Sequence, residues 1–136
     1  MLDRNILIVD DEESLRLTFE MFLKREGYTS VQTAATFEEA LTAISKDRFD
    51  LIVSDIVLGG EKGTDLLRHI RETGISCPVV MVTGFPNLET ASEAVRLGAF
   101  DYISKPVNKE KLLKLVRHAL AFWELELERR ALILQN

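Results

Sequence analysis

Asp10, Asp11, Asp55, Thr83 and Lys105 are the side chains whose types and places could do chemistry together. Each stands at the end of a short run that reads as a strand. Asp10 and Asp11 follow Asn-Ile-Leu-Ile-Val at 5–9, and Asp55 follows Leu51-Ile52-Val53-Ser54. Thr83 follows Pro-Val-Val-Met-Val at 78–82, and Lys105 follows Asp101-Tyr102-Ile103 and Ser104. If those strands are parallel, their carboxyl ends share one edge of the sheet, the edge where open α/β sheets bind ligands. Three carboxylates gathered there repel one another unless a cation sits among them. No His or Cys lies nearby in sequence, and all-oxygen donors suit a hard ion, Mg2+ rather than Zn2+. Mg2+ bound by one or two carboxylates also takes a phosphate, and a lysine and a hydroxyl would hold the remaining phosphate oxygens. The chemistry predicted is that of a phosphoryl group on or next to a carboxylate, which can itself be the nucleophile.

The elements that must position these residues alternate strictly. The strand at 5–9 leads to a helix with Leu15, Phe19, Phe22 and Leu23 at helical spacing, stopped by Gly27. A more polar strand over Tyr28–Ala34 reads as near an edge. Thr36 and Glu39 form a capping box before a helix carrying Phe37, Ala40, Leu41 and Ile44. Phe49–Ser54 is the third strand, and Gly59, Gly60 and Gly63 behind Asp55 predict a loop. Leu66, Leu67 and Ile70 mark a third helix closed by Gly74. After the strand at 78–82, Asn87 caps a fourth helix that stops at Gly98. Asp101–Ile103 is the fifth strand, and Asn108 caps the last helix. Five strands alternating with five helices predict an α/β fold: a doubly wound parallel sheet with helices on both faces. The apolar first, third and fourth strands belong at its centre.

Bulk properties narrow the class. The 136 residues are 46% apolar and 29% charged, enough for one domain with its own core. A net charge of −5 with no basic run argues against a nucleic-acid surface. The single cysteine, Cys77, excludes an internal disulfide and suits a reducing compartment. No signal pattern and no membrane-length apolar run is present, so the expected location is cytoplasmic, with no membrane partner.

Asp10-Asp11, Asp55 with Gly63 eight residues on, Thr83-Gly84, Tyr102 and Lys105-Pro106, in that order, give the chain a clear likeness. It resembles the receiver domain of two-component response regulators, over roughly residues 5–120. That resemblance implies a flavodoxin-like sheet of strand order 2-1-3-4-5. It implies that Asp55 accepts a phosphoryl group from the phosphohistidine of a sensor histidine kinase. Asp10, Asp11, Asp55 and the backbone carbonyl of Val57 would bind Mg2+. Lys105 would contact the phosphate, Thr83 would move toward it, Tyr102 would turn inward behind it, and Lys105-Pro106 would be cis. Relay would run through the fourth helix, fifth strand and fifth helix. The chain is then a regulatory phosphoacceptor and not an enzyme with outside substrates.

The sequence departs from the family's habit in two respects. Gly59, four residues after Asp55, stands where a proline is common and is followed by Gly60, which predicts a more flexible loop. Val57 and Phe85, two beyond Asp55 and Thr83, are apolar and cannot orient an attacking water, so slow autodephosphorylation is expected. A Mg2+-dependent phosphatase would want a second acid where Val57 stands. The other rival is a structural dimerisation module with this shape that takes no phosphate. Simpler readings exist for single residues: Asp55 as a cap, Thr83 as a turn residue, Tyr102 as packing, Cys77 as an inert strand-entry residue, His69 and His118 as surface positions.

The last helix continues beyond the expected domain edge near Ala121. The reading divides the chain into a receiver domain, 1–121, and a helical extension, 122–136. Leu113, Leu120, Leu127 and Leu134 recur every seven residues, with Val116 and Trp123 between them and Arg130 as a flaw. One outcome is a stripe folded back on its own domain. The favoured expectation is a helical partner, giving a homodimer or a coiled-coil linker to a C-terminal output domain that is absent here.

Overall fold

The computed structural model describes residues 2–58 and 61–135. The strands are β1 (Asn5–Val9), β2 (Ser30–Ala34), β3 (Leu51–Asp55), β4 (Val79–Thr83) and β5 (Asp101–Ser104). The helices are α1 (Glu13–Glu26), α2 (Phe37–Lys46), α3 (Gly63–Glu72), α4 (Leu88–Arg96) and α5 (Lys109–Gln135). The strands form one parallel sheet of order β2-β1-β3-β4-β5. The expected doubly wound α/β fold is what forms. A two-residue antiparallel ladder, Val57–Leu58 with Glu61–Lys62, follows β3. The loop expected to be flexible at Gly59-Gly60 lies outside the described residues.

Alternation along each strand splits the core into two layers. Ile6, Ile8, Val53 and Val82 face α1 and α5, while Leu7, Val9, Ile52 and Met81 face α2, α3 and α4. Both faces are covered, so the central strands are apolar throughout. The polar β2 pairs on one side only and is an edge, as its sequence implies.

Helix ends follow local chemistry. Gly27 adopts φ +111°, and the N–H groups of Gly27 and Tyr28 donate to Lys24 and Leu23 carbonyls. Tyr28 therefore closes α1 and does not begin β2, which starts two residues later than its sequence pattern suggests. Thr36 Oγ1 accepts from Glu39 N at 3.1 Å, but Glu39 Oε1 reaches the N–H of Ala35 and not that of Thr36. Asn87 and Asn108 cap α4 and α5 through Thr90 N (2.9 Å) and Lys111 N (2.8 Å). No helix among the described residues is long and apolar enough to cross a membrane.

The 27-residue α5 keeps touching the domain well past Ala121. Leu113, Val116, Leu120 and Trp123 are buried, and Leu127 packs against the core. The ring of Trp123 lies 5.1 Å from the guanidinium of Arg130, which also donates to Ser76 Oγ at 2.8 Å. The seven-residue stripe is thus occupied by its own domain as far as Leu127, and only Leu134 is left open at 86% exposure. Phe122, Leu125, Leu132 and Ile133 are also exposed apolar residues of this helix.

Candidate functional site

The carboxyl ends of β1, β3, β4 and β5 meet as expected. Asp10 and Asp55 are almost fully buried (3% and 7% exposed), and Asp11 is exposed. Carboxylate oxygens of Asp10, Asp11 and Asp55 all lie within 4.8 Å of one another. Lys105 Nζ donates to Asp10 Oδ2 and to Asp55 Oδ2, each at 3.1 Å. One ammonium therefore sits between two buried carboxylates.

Main-chain contacts fix each group. Asp55 ends β3 in register with Val82, and its Oδ1 accepts from Val57 N at 3.2 Å. Asp10 Oδ1 accepts from Glu12 N at 2.9 Å as the chain turns into α1. Lys105 is placed by its own N–H, which donates to the Thr83 carbonyl at 2.7 Å. The Lys105-Pro106 bond is cis. Thr83 is buried, and its Oγ1 accepts from Phe85 N at 3.0 Å. Tyr102 is half-buried; its hydroxyl lies 2.7 Å from Thr90 Oγ1 and accepts from Asn87 N at 3.2 Å.

Electrostatics follow from burial. Burial pushes the Asp55 carboxyl above its ordinary value; the Val57 N–H pulls it down, Asp10 pushes it up, and Lys105 pulls it down, leaving it raised. Burial alone would lower Lys105, but its hydrogen bonds to Asp10 and Asp55 outweigh that and leave it raised. The cleft above these groups holds about 250 Å³ and is lined by Asp11, Asp55, Val57, Thr83, Phe85 and Lys105. Phe85 is 84% exposed and Val57 about half exposed, so the rim is apolar and the floor charged.

The donor set fits a hard divalent ion: clustered oxygens, one exposed carboxylate, and an open cleft for water or phosphate. Asp10, Asp11, Asp55, Thr83 and Lys105 fall at this edge, and Tyr102 lies beside it on β5. Sequence reasoning missed Arg16, whose Nη1 donates to the Asp10 carbonyl at 2.9 Å. It also missed Thr90, the hydrogen-bond partner of Tyr102. Nothing in the residue spacing marks either, because both lie on helices outside the strand ends.

With that geometry in hand, likeness to known proteins is specific. Residues 6–117 match the response regulator receiver domain family, and the chain belongs to it. Among curated relatives, the nitrogen assimilation regulatory protein NtrX of Azorhizobium caulinodans is 40% identical over 94% of this chain and 28% of its own length. The response regulator protein PilR of Pseudomonas aeruginosa is 36% identical over 88% of this chain and 27% of its own length. The chain thus spans little more than a quarter of these relatives. A CheY-like receiver domain protein from Methanospirillum hungatei superposes with a TM-score of 0.87 at 36% identity, covering 91% of this chain and 98% of that one. The chain is a response regulator receiver domain, a regulatory domain of two-component systems.

Proposed function

We propose that Asp55 accepts a phosphoryl group from a phosphohistidine of a sensor histidine kinase, with Mg2+ held by Asp10, Asp11, Asp55 and the Val57 carbonyl. The observation that carries this reading is Lys105 Nζ standing 3.1 Å from both Asp10 and Asp55 beside the three-carboxylate cluster. A purely structural module gains nothing from burying two acids against one lysine, since such burial costs desolvation.

In the step proposed, an Asp55 carboxylate oxygen attacks the phosphorus. The P–N bond to imidazole breaks, a P–O bond to Asp55 forms, and the imidazole leaves on the kinase. Bound Mg2+ supplies charge neutralisation for the carboxylates and phosphoryl oxygens. Lys105 contacts a phosphoryl oxygen and holds it in line, so catalysis is positioning and electrostatics. Thr83 gives up its contact with Phe85 N and turns its hydroxyl to the new anion. The apolar Val57 and Phe85 offer no group to orient a hydrolytic water, so the acyl phosphate is long-lived.

The signal then travels through Tyr102, which is tied to the first turn of α4 by Thr90 and Asn87, and along α5. A homodimer through the C-terminal part of α5 is part of the proposal. Its surface is the exposed set Phe122, Leu125, Leu132 and Ile133, because the other stripe is taken by the domain. The extension from residue 122 would also lead to an output domain, as the greater length of the relatives suggests. The test is modification by acetyl phosphate with and without Mg2+. A mass gain of one phosphoryl group that needs Mg2+, and that decays over much longer than seconds, is expected. Modification that ignores Mg2+ contradicts the reading.

A further inference from the structure

Arg16 stands where helix energetics do not want it. It is the fourth residue of α1, close to the positive end of the helix dipole, where acids are favoured and cations are not. Its Nη1 donates not to a neighbouring carboxylate but to the main-chain oxygen of Asp10, at 2.9 Å. That oxygen belongs to the planar peptide unit joining Asp10 to Asp11.

Asp10 is held at every polar atom. Its N–H donates to the Ala34 carbonyl, Oδ1 accepts from Glu12 N, Oδ2 accepts from Lys105, and its carbonyl accepts from Arg16. Three of these contacts fix Asp10 itself. The fourth fixes the orientation of the peptide that leads to Asp11, whose exposed side chain completes the carboxylate cluster.

We infer that Arg16 is a positioning residue for the cation site: by holding the Asp10–Asp11 peptide plane, it aims the Asp11 carboxylate at the metal. The inference rests on the proposed Mg2+ site and adds a residue to it. Groups that orient metal ligands from behind typically matter about 10- to 100-fold in affinity. Arg16 is partly exposed, so the low end applies.

The sign of the effect separates this role from plain electrostatics. Removing a positive charge near the cluster would by itself tighten cation binding. Loss of positioning weakens it.

The experiment is calorimetric titration with Mg2+ alone of wild type, Arg16→Met, Arg16→Lys, Asp11→Asn and the Arg16→Met/Asp11→Asn double variant. Arg16→Met is expected to bind Mg2+ about tenfold more weakly, with Arg16→Lys between it and wild type. Without Mg2+ it should still unfold in one cooperative transition, because the loss of one hydrogen bond to a charged donor is partly offset by removal of the cation opposing the dipole. In the Asp11→Asn background, Arg16→Met should cost little more, since the carboxylate it aims is already missing. Equal or tighter Mg2+ binding by Arg16→Met, or full additivity with Asp11→Asn, would overturn the inference. A wild type that binds no Mg2+ would overturn the cation site and this inference together.

Discussion

The indole N–H of Trp123 donates to Asp50 Oδ1 over 3.0 Å, joining α5 to the residue that precedes β3, 73 positions away in the chain. Asp50 is a hub. Its Oδ2 accepts from Asn5 N at 2.9 Å, and Arg4 pairs with both Asp50 and Glu124. The far half of α5 is thereby fastened under the sheet, at the end opposite Asp55. Asp50→Ala would leave the Trp123 and Asn5 donors without partners, at a cost of about 1–3 kcal/mol. Urea unfolding followed by the emission of this sole tryptophan measures the loss. A midpoint unchanged from wild type would mean the contact contributes nothing.

Stability should depend on pH through Asp55. Its folded-state pKa lies above the unfolded value, chiefly through burial, so ionising it costs more in the folded protein than in the unfolded chain. The stability it contributes is full below the unfolded carboxylate range and is lost as pH rises through the folded value. Asp55→Asn is neutral throughout. Without Mg2+, the variant should therefore melt higher than wild type near pH 7, and the gap should close in acid. A gap that widens on acidification contradicts the assignment.

Arg71 is a second hidden staple. Its guanidinium donates to the carbonyls of Leu97, Ile75, Cys77 and Gly98, so one side chain ties α3, the entry to β4 and the end of α4. Arg71→Met keeps the aliphatic stem and strands those acceptors. A loss of about 2–4 kcal/mol is expected from the several hydrogen bonds to a charged donor. Hydrogen exchange should then rise first at the end of α4. Uniform destabilisation without that local signature would argue against the staple.

The sheet was legible because its signal is local. Apolar runs at 6–9, 51–53 and 79–82, each bounded by polar or turn residues, read as central strands, and Asn87, Asn108, Gly27 and Gly98 each announce a helix end within a few residues. The site was legible for the same reason: topology alone brings strand ends together, so Asp10, Asp55, Thr83 and Lys105 needed no contact information. Arg71, Asp50 and Arg16 were invisible because their partners are backbone oxygens or residues far off in sequence, and a carbonyl carries no side-chain identity. What covers the stripe of the last helix was not legible for a similar reason. A seven-residue repeat says that one stripe is apolar, but not whether a partner or the domain's own base covers it; here Trp123 and Leu127 face the domain.

Cys77 should be chemically silent. It is buried at the entry to β4, and burial pushes its thiol up to about 12. At pH 8 the thiolate would be about one part in ten thousand. Iodoacetamide should leave the folded protein unmodified for hours and label it promptly in denaturant. Rapid labelling of the folded protein would show that the α3–β4 connection opens.

The central claim is that Asp55 is the phosphoacceptor, and borohydride trapping tests it most directly. Reduction converts an aspartyl phosphate to homoserine at the residue that carried it, and peptide mass spectrometry reads the position. After treatment with Mg2+ and acetyl phosphate, homoserine is predicted at position 55 in wild type and nowhere in Asp55→Asn. Homoserine at Asp10 or Asp11, or none in a wild type that binds Mg2+, would contradict the account.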